Sequence, residues 1–292
     1  MILILTSLNN PLSPGPSIHL VLQEYCSSSL AVIDDTVMPY PDQVGRLFDE
    51  FRPKIVLNCH EYPDIDAAEN ERETAYAING LFLKSLSARC LERDIQLIQL
   101  STSYVFSGSG AAPYTEEDEP DPVSVYGDSK LLGERLVLES GCRHVILRVP
   151  DLFGEGMPLV NSRLAMKHEN GILQVIRGQV AAPVYSGDLA LAVSELVSRD
   201  CHGIYHFSQD GAAPTGDVIS RVLELCGRYG VTDEKYSVME TEKEDFLAPG
   251  ERPMYNVLDA EKLKGAAGIS ARGWDRALED YISRKGSSII LT

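Results

Sequence analysis

The chain has 292 residues, with 43 Asp and Glu against 26 Lys and Arg, and a formal net charge of −17. So acidic a surface repels a polyphosphate backbone, and no basic stripe interrupts it, so a nucleic-acid partner is excluded. No apolar run reaches the roughly 18 residues of a membrane span, and Met1–Leu5 is too short and too poor in flanking cations for a leader, so a soluble, cytoplasmic protein without a membrane partner is expected.

Six cysteines lie scattered without a C-x-x-C pair, so neither a metal site nor a disulfide framework is expected. Along the chain, apolar runs alternate with amphipathic stretches. Ile2–Leu5, Leu30–Ile33 and Ile55–Leu57 read as strands, and Ile18–Tyr25 and Val44–Phe51 as the helices between them. A long helical pattern runs from about Ala68 to Arg93. It is followed by a strand at Gln96–Leu100, a helix from about Ser124 to Glu139 and a strand at His144–Val149. This rhythm predicts an α/β protein, a Rossmann-like doubly wound parallel sheet. After Gly154 the pattern weakens, then returns as a helix near Asp188–Val197, a strand at Gly203–Phe207 and further helix from Thr215. The predicted division is a sheet domain over residues 1–153, which also receives roughly 184–210, and a smaller, discontinuous α+β C-terminal lobe over 154–292.

Ligands of open parallel sheets sit beyond the carboxyl ends of the strands, so the residues that follow strands carry the chemistry. Tyr126 and Lys130 are four residues apart, which on a helix puts a phenol and an ammonium on one face. The cation favours the phenolate and so tunes Tyr126 for proton exchange with a carbonyl or alcohol. Alone, Tyr-x-x-x-Lys is a weak signal. Here it follows Ser101-Thr102-Ser103-Tyr104-Val105-Phe106-Ser107-Gly108, which closes the Gln96–Leu100 strand, and an acidic, Pro-containing loop.

That ordered series resembles the extended short-chain dehydrogenases, and most of all the dTDP-4-dehydrorhamnose reductase family. Further matches cover nearly the whole chain: Asn58-Cys59, Tyr62, Asn79, Gly133-Glu134, Leu147-Arg148, Tyr185 with Asp188, Gly203–His206 and Arg252-Pro253. The resemblance implies that Thr102 hydrogen-bonds a substrate carbonyl, Tyr126 donates the proton, and Lys130 holds the nicotinamide ribose while hydride comes from NAD or NADP. It places Thr6, Ser7, Asp34, Cys59, His60, Tyr62, Asn79 and Ser101 with Lys130 on the cofactor side. Phe106, Asp151 and Arg252 fall on the substrate side. Arg177 and Lys167 are further cations for a nucleotide diphosphate, though each is more readily a solvated surface group.

The chain departs from the family pattern in four places. The first strand is followed by Thr6-Ser7-Leu8-Asn9-Asn10-Pro11-Leu12-Ser13-Pro14-Gly15-Pro16, where prolines replace the glycines that let a backbone approach a pyrophosphate. Thr6, Ser7, Asn9 and Asn10 still offer side-chain donors. Val37, Met38, Pro39 and Tyr40 stand where the family has Asp-Ile-x-Asp beside the adenine. His60 and Glu61 replace two alanines and bring bulk and charge near the pyrophosphate, and Asp151 replaces a tryptophan that shapes the sugar site. Asp34 or Asp35 can bind a ribose hydroxyl, which points to NAD over NADP.

Two functions are therefore in play. One is an NAD(P)-dependent reductase of a 4-keto nucleotide sugar. The alternative is a non-catalytic or repurposed protein of this fold that binds a sugar nucleotide or a protein partner and has lost NAD(P). A homodimer is compatible with either. His202 and His206 read as structural residues, Glu116–Glu119 as a solvated loop, and Trp274 as a packing anchor.

Overall fold

The computed structural model describes residues 1–7, 13–25, 29–34, 41–160, 164–199, 201–232, 234–286, 289 and 291. Asn9, Asn10, Asp35 and the segment 37–40 lie outside these. The first half runs β1 (Ile2–Thr6), α1 (Gly15–Tyr25), β2 (Leu30–Asp34), α2 (Pro41–Phe51), β3 (Ile55–Asn58), α3 (Ile65–Asn70), α4 (Arg72–Tyr76), α5 (Phe82–Glu92), β4 (Gln96–Thr102), α6 (Val125–Glu139) and β5 (His144–Val149). The second half runs β6 (Leu152–Phe153), β7 (Met166–Lys167), β8 (Ile172–Ile176), β9 (Val180–Ala181), β10 (Val184–Tyr185), α7 (Ser186–Ser198), β11 (Gly203–His206), β12 (Ala213–Pro214), α8 (Thr215–Arg228), β13 (Ser237–Thr241), β14 (Tyr255–Asn256), α9 (Glu261–Ala267) and α10 (Trp274–Lys285).

Six strands form one parallel sheet in the order β2-β1-β3-β4-β5-β11. The chain moves outward from β1 to β2 and then crosses to β3 on the other side. The carboxyl ends of β1 and β3 thus border the crevice where doubly wound folds take ligands. The two faces of β1 show why the strand is apolar throughout. Ile2 and Ile4 pack with Ile18 and Leu22 of α1, while Leu3 and Leu5 pack with Val44, Phe48 and Leu86 of α2 and α5. Alternate residues serve opposite faces, and each fully buried Leu or Ile is worth about 1.5–3 kcal/mol.

A second cluster, including Phe153, Tyr185, Leu173, Ile219, Leu278 and Tyr281, lies under α8 and α10, with Trp274 packed against its edge. Two small sheets, β7-β8-β13 and β12-β9-β14, accompany it. Among the described residues no helix is long and apolar enough to cross a membrane.

The single helix predicted from about Ala68 to Arg93 is four segments instead. The backbone leaves the helix at Glu71 (φ −114°, ψ 45°), resumes as α4, widens into a π-turn over Ala77–Leu81 and tightens again into α5. Packing against α6 accounts for the interruption. A Cβ on Gly80 would lie 2.7 Å from Leu132, and one on Gly133 would lie 2.2 Å from the Asn79 carbonyl oxygen, so the π-turn and α6 meet almost backbone to backbone. Single π-turns inside helices gather at functional sites, and this one carries Asn79.

Candidate active site

β4 ends on Thr102, whose extended backbone (φ −136°, ψ 154°) caps a short 3₁₀ turn over Ser103–Val105. Its Oγ1 accepts the Tyr104 N–H at 3.2 Å, which leaves the hydroxyl proton to donate. α6 starts beside this turn with two caps. Ser124 Oγ accepts the Gly127 N–H at 3.1 Å, and Glu69 Oε1 accepts the Val125 N–H at 2.8 Å. A Cβ on Gly127 would lie 2.2 Å from the Tyr104 carbonyl oxygen, so a glycine is needed for the helix to rest on the turn. Tyr126 and Lys130 are buried on that inner face, and the Tyr126 ring meets Tyr104 edge to face at 5.9 Å. The three residues predicted as catalytic, Thr102, Tyr126 and Lys130, line one small cleft.

Glu61 lines it as well. Its Oε2 accepts from Lys130 Nζ at 2.7 Å and from the Tyr126 hydroxyl at 3.3 Å, while Lys130 Nζ also donates to the Leu100 carbonyl at 3.0 Å. The pair is largely withdrawn from water, with 4% of the Lys130 side chain and 13% of the Glu61 side chain exposed. Sequence reasoning gives Glu61 bulk and charge on the pyrophosphate side but does not foresee that its carboxylate bonds the Tyr126 phenol and the Lys130 ammonium, and the sequence signal for it is the departure from alanine. With this carboxylate in place the cleft encloses about 20 Å³, room for roughly one water.

Most residues predicted on the cofactor side surround the same end of the sheet. Thr6 Oγ1 and Ser13 Oγ are 2.9 Å apart, and a Cβ on Gly15 would fall 1.8 Å from Thr6 Oγ1, so the lone glycine of the loop brings the start of α1 against the end of β1. Ser7 is buried just beyond, and Asp34 pairs in register with Thr6 at the end of β2. The Cys59 N–H donates to the Leu5 carbonyl at 2.8 Å, and burial pushes its thiol up, as the nearby Glu61 does to a lesser degree. His60 is buried edge-on to Phe82 at 5.6 Å. Burial lowers its pKa to about 4, against the opposing pull of Glu61. Asn79 binds both backbone groups of Tyr62, at 2.8 and 3.1 Å, and reaches Ser129 of α6 at 2.9 Å. Ser101 donates to Glu134 at 2.5 Å, and Glu134 is in a buried ion pair with Arg148 at 2.6 Å.

The substrate-side residues do not join this cleft. Phe106 is buried, stacked on Tyr114 at 4.4 Å with the Arg148 guanidinium 5.1 Å from its centre. Asp151 is buried where Asn256 Nδ2 donates to it at 2.9 Å, tying the end of β5 to β14. Arg252 is buried and holds Asp66 of α3 through two contacts, one of 2.7 Å. Burial of Asp66 opposes its ionisation, but the Arg252 hydrogen bonds and the Gly250 N–H outweigh that and keep the carboxyl below its usual range. Arg177 is exposed and paired with Glu240 and Glu242, and Lys167 lies over Tyr236. His206 is fully buried, with Nδ1 at 3.1 Å from the Tyr114 carbonyl, and desolvation together with Arg148 lowers its pKa to about 3. Among the described residues, no three His, Cys, Asp or Glu side chains are grouped to hold a metal ion, and Cys59, Cys90, Cys142, Cys201 and Cys226 are buried free thiols.

The family model for the RmlD substrate binding domain matches residues 29–286. The chain belongs to this family. It is 31% identical over 246 residues to the spore coat polysaccharide biosynthesis protein SpsK of Bacillus subtilis (strain 168), covering 84% of each chain. It is 30% identical over 246 residues to a dTDP-4-dehydrorhamnose reductase of Aggregatibacter actinomycetemcomitans, covering 82% of this chain and 84% of that one. A crystal structure of a dTDP-4-dehydrorhamnose reductase from Clostridium acetobutylicum ATCC 824 superposes with a TM-score of 0.85 at 27% identity, over 97% of this chain and 99% of that chain. The doubly wound sheet is therefore the fold of this reductase family.

Proposed function

We propose that this chain is an NAD(P)-dependent reductase of a 4-keto nucleotide sugar, similar to dTDP-4-dehydrorhamnose reductase. The observation that carries this reading is the meeting of Thr102, Tyr126 and Lys130 at the carboxyl end of β4. Thr102, with its oxygen already capping the turn, turns its proton toward a carbonyl oxygen. Tyr126 supplies the second hydrogen bond and then the proton, and Lys130 steadies the negative charge left on the phenol oxygen.

A nicotinamide cofactor, when bound, supplies the hydride. The Lys130 ammonium suits a ribose diol, and Thr6 and Ser7 stand at the end of β1, where such folds take a pyrophosphate. Thr6, however, is engaged by Ser13, and Pro14 and Pro16 offer no N–H at the start of α1. Glu61 must leave Lys130 for the ribose contact to form. We read residues 1–153 with roughly 184–210 as the cofactor side and the remainder as the substrate side. The five buried free thiols agree with a reducing, cytoplasmic setting. Asp34 at the end of β2 favours NAD over NADP.

The test is oxidation of NADH or NADPH in the presence of dTDP-4-dehydrorhamnose. Turnover is expected, with kcat reduced about 10²–10⁴-fold in Tyr126→Phe. Absence of turnover, or a Tyr126→Phe variant as fast as the parent, would overturn the proposal.

A further inference from the structure

We propose that Glu61 is a displaceable internal occupant of the cofactor site, which holds Lys130 and Tyr126 until a dinucleotide takes its place and so sets the affinity for that cofactor. This rests on the reductase reading above. One carboxylate oxygen, Glu61 Oε2, accepts from both Lys130 Nζ at 2.7 Å and the Tyr126 hydroxyl at 3.3 Å. An oxygen bonded to that ammonium beside that phenol is what a nicotinamide ribose has to place there. The cleft that Glu61 lines with Lys130 and Tyr126 holds about 20 Å³, room for roughly one water. The occupant is also an anion, so a ligand that carries two phosphates meets repulsion as well as obstruction.

The surroundings show what can move. On one side of Glu61 the backbone is fixed by the Cys59 N–H on Leu5, and on the other by both Tyr62 backbone groups on Asn79. His60 is packed on Phe82. The segment from Cys59 to Asp64 is neither helix nor strand, and part of the Glu61 side chain already reaches solvent. Rotation of the Glu61 side chain alone, with the loop left in place, therefore opens Lys130. In the closed state the carboxylate pairs with a buried ammonium, which explains why an acid is tolerated beside the Tyr126 phenol.

Titration calorimetry with NADH and with NADPH on the full chain, its Glu61→Ala variant and its Glu61→Gln variant tests this. Glu61→Ala is expected to bind the nucleotide at least about tenfold more tightly than the parent, with Glu61→Gln in between, because the amide keeps the bulk and loses the charge. Should Glu61→Ala fail to fold, judged by circular dichroism, the comparison of Glu61→Gln with the parent still decides. Equal or weaker binding by the folded variants overturns the proposal, as does a failure of parent and variants alike to bind either nucleotide. Tighter binding by the variants without any turnover upholds the displacement and overturns the reductase reading instead.

Discussion

Histidine 60 shows how one residue links burial to behaviour. Folded, it titrates near 4, and unfolded it titrates near its ordinary 6.5. As the pH falls below about 6.5 the unfolded chain takes up a proton that the folded chain refuses, so stability declines with falling pH until the folded ring protonates near 4. The loss from this residue is on the order of 3 kcal/mol. Thermal unfolding between pH 7.5 and 4.5 should show a steeper decline for the parent than for His60→Gln, and parallel curves would refute the assignment. At this scale the sequence is legible where a motif is local. Thr102, Tyr126 and Lys130 lie within one stretch of chain whose ordered series carries the family resemblance, and the fold brings them to one cleft. The Glu61–Lys130 contact spans 69 residues. No local pattern encodes it, because it arises only when the β3 loop and α6 are brought together by the sheet.

Among the elements, the strands of the large sheet are readable because both of their faces are buried and the apolar runs are continuous, as in Ile2–Leu5. The two-residue strands such as β6, β9 and β12 are too short to carry a period, and their pairings come from tertiary contacts alone. The break at Glu71 and the π-turn at Ala77–Leu81 escape notice for a related reason. One extra residue in a turn hardly alters an apolar stripe, while the bonds from Asn79 to Tyr62 and Ser129 that hold it lie far off in sequence. α6 depends on that turn through Gly133. A methyl group there meets the Asn79 carbonyl oxygen and displaces the residue that secures the Tyr62 backbone. Gly133→Ala should cost about 1–3 kcal/mol, seen as a lower midpoint in denaturant unfolding. An unchanged midpoint would mean that α6 slides freely over the π-turn.

For the whole molecule, the charge of −17 acts on any anionic ligand before the first contact. Salt weakens the association of most nucleotide-binding proteins with their ligands, but here both partners are negative. Raising ionic strength from about 0.01 M to about 0.15 M shortens the Debye length from about 30 Å to about 8 Å and relieves the repulsion. Calorimetric affinity for NADH should therefore rise over that range, and a fall would show that local cations such as Lys130 dominate the field. The fold class follows from composition and rhythm, whereas the details of the C-terminal half do not, since its cluster is assembled from segments as distant as Phe153, Ile219 and Tyr281.

The Arg252–Asp66 pair fastens residues 186 positions apart. The guanidinium is sealed from water while its carboxylate is partly exposed, so parting them leaves Arg252 on the Gly250 carbonyl oxygen with its main anionic neighbour gone, a step that costs far more than breaking a surface pair. The C-terminal stretch around Arg252 is thus clasped to α3 through Asp66. Fraying that begins at either segment has to break this clasp before it spreads, which ties the unfolding of α3 to that of a stretch 186 positions away.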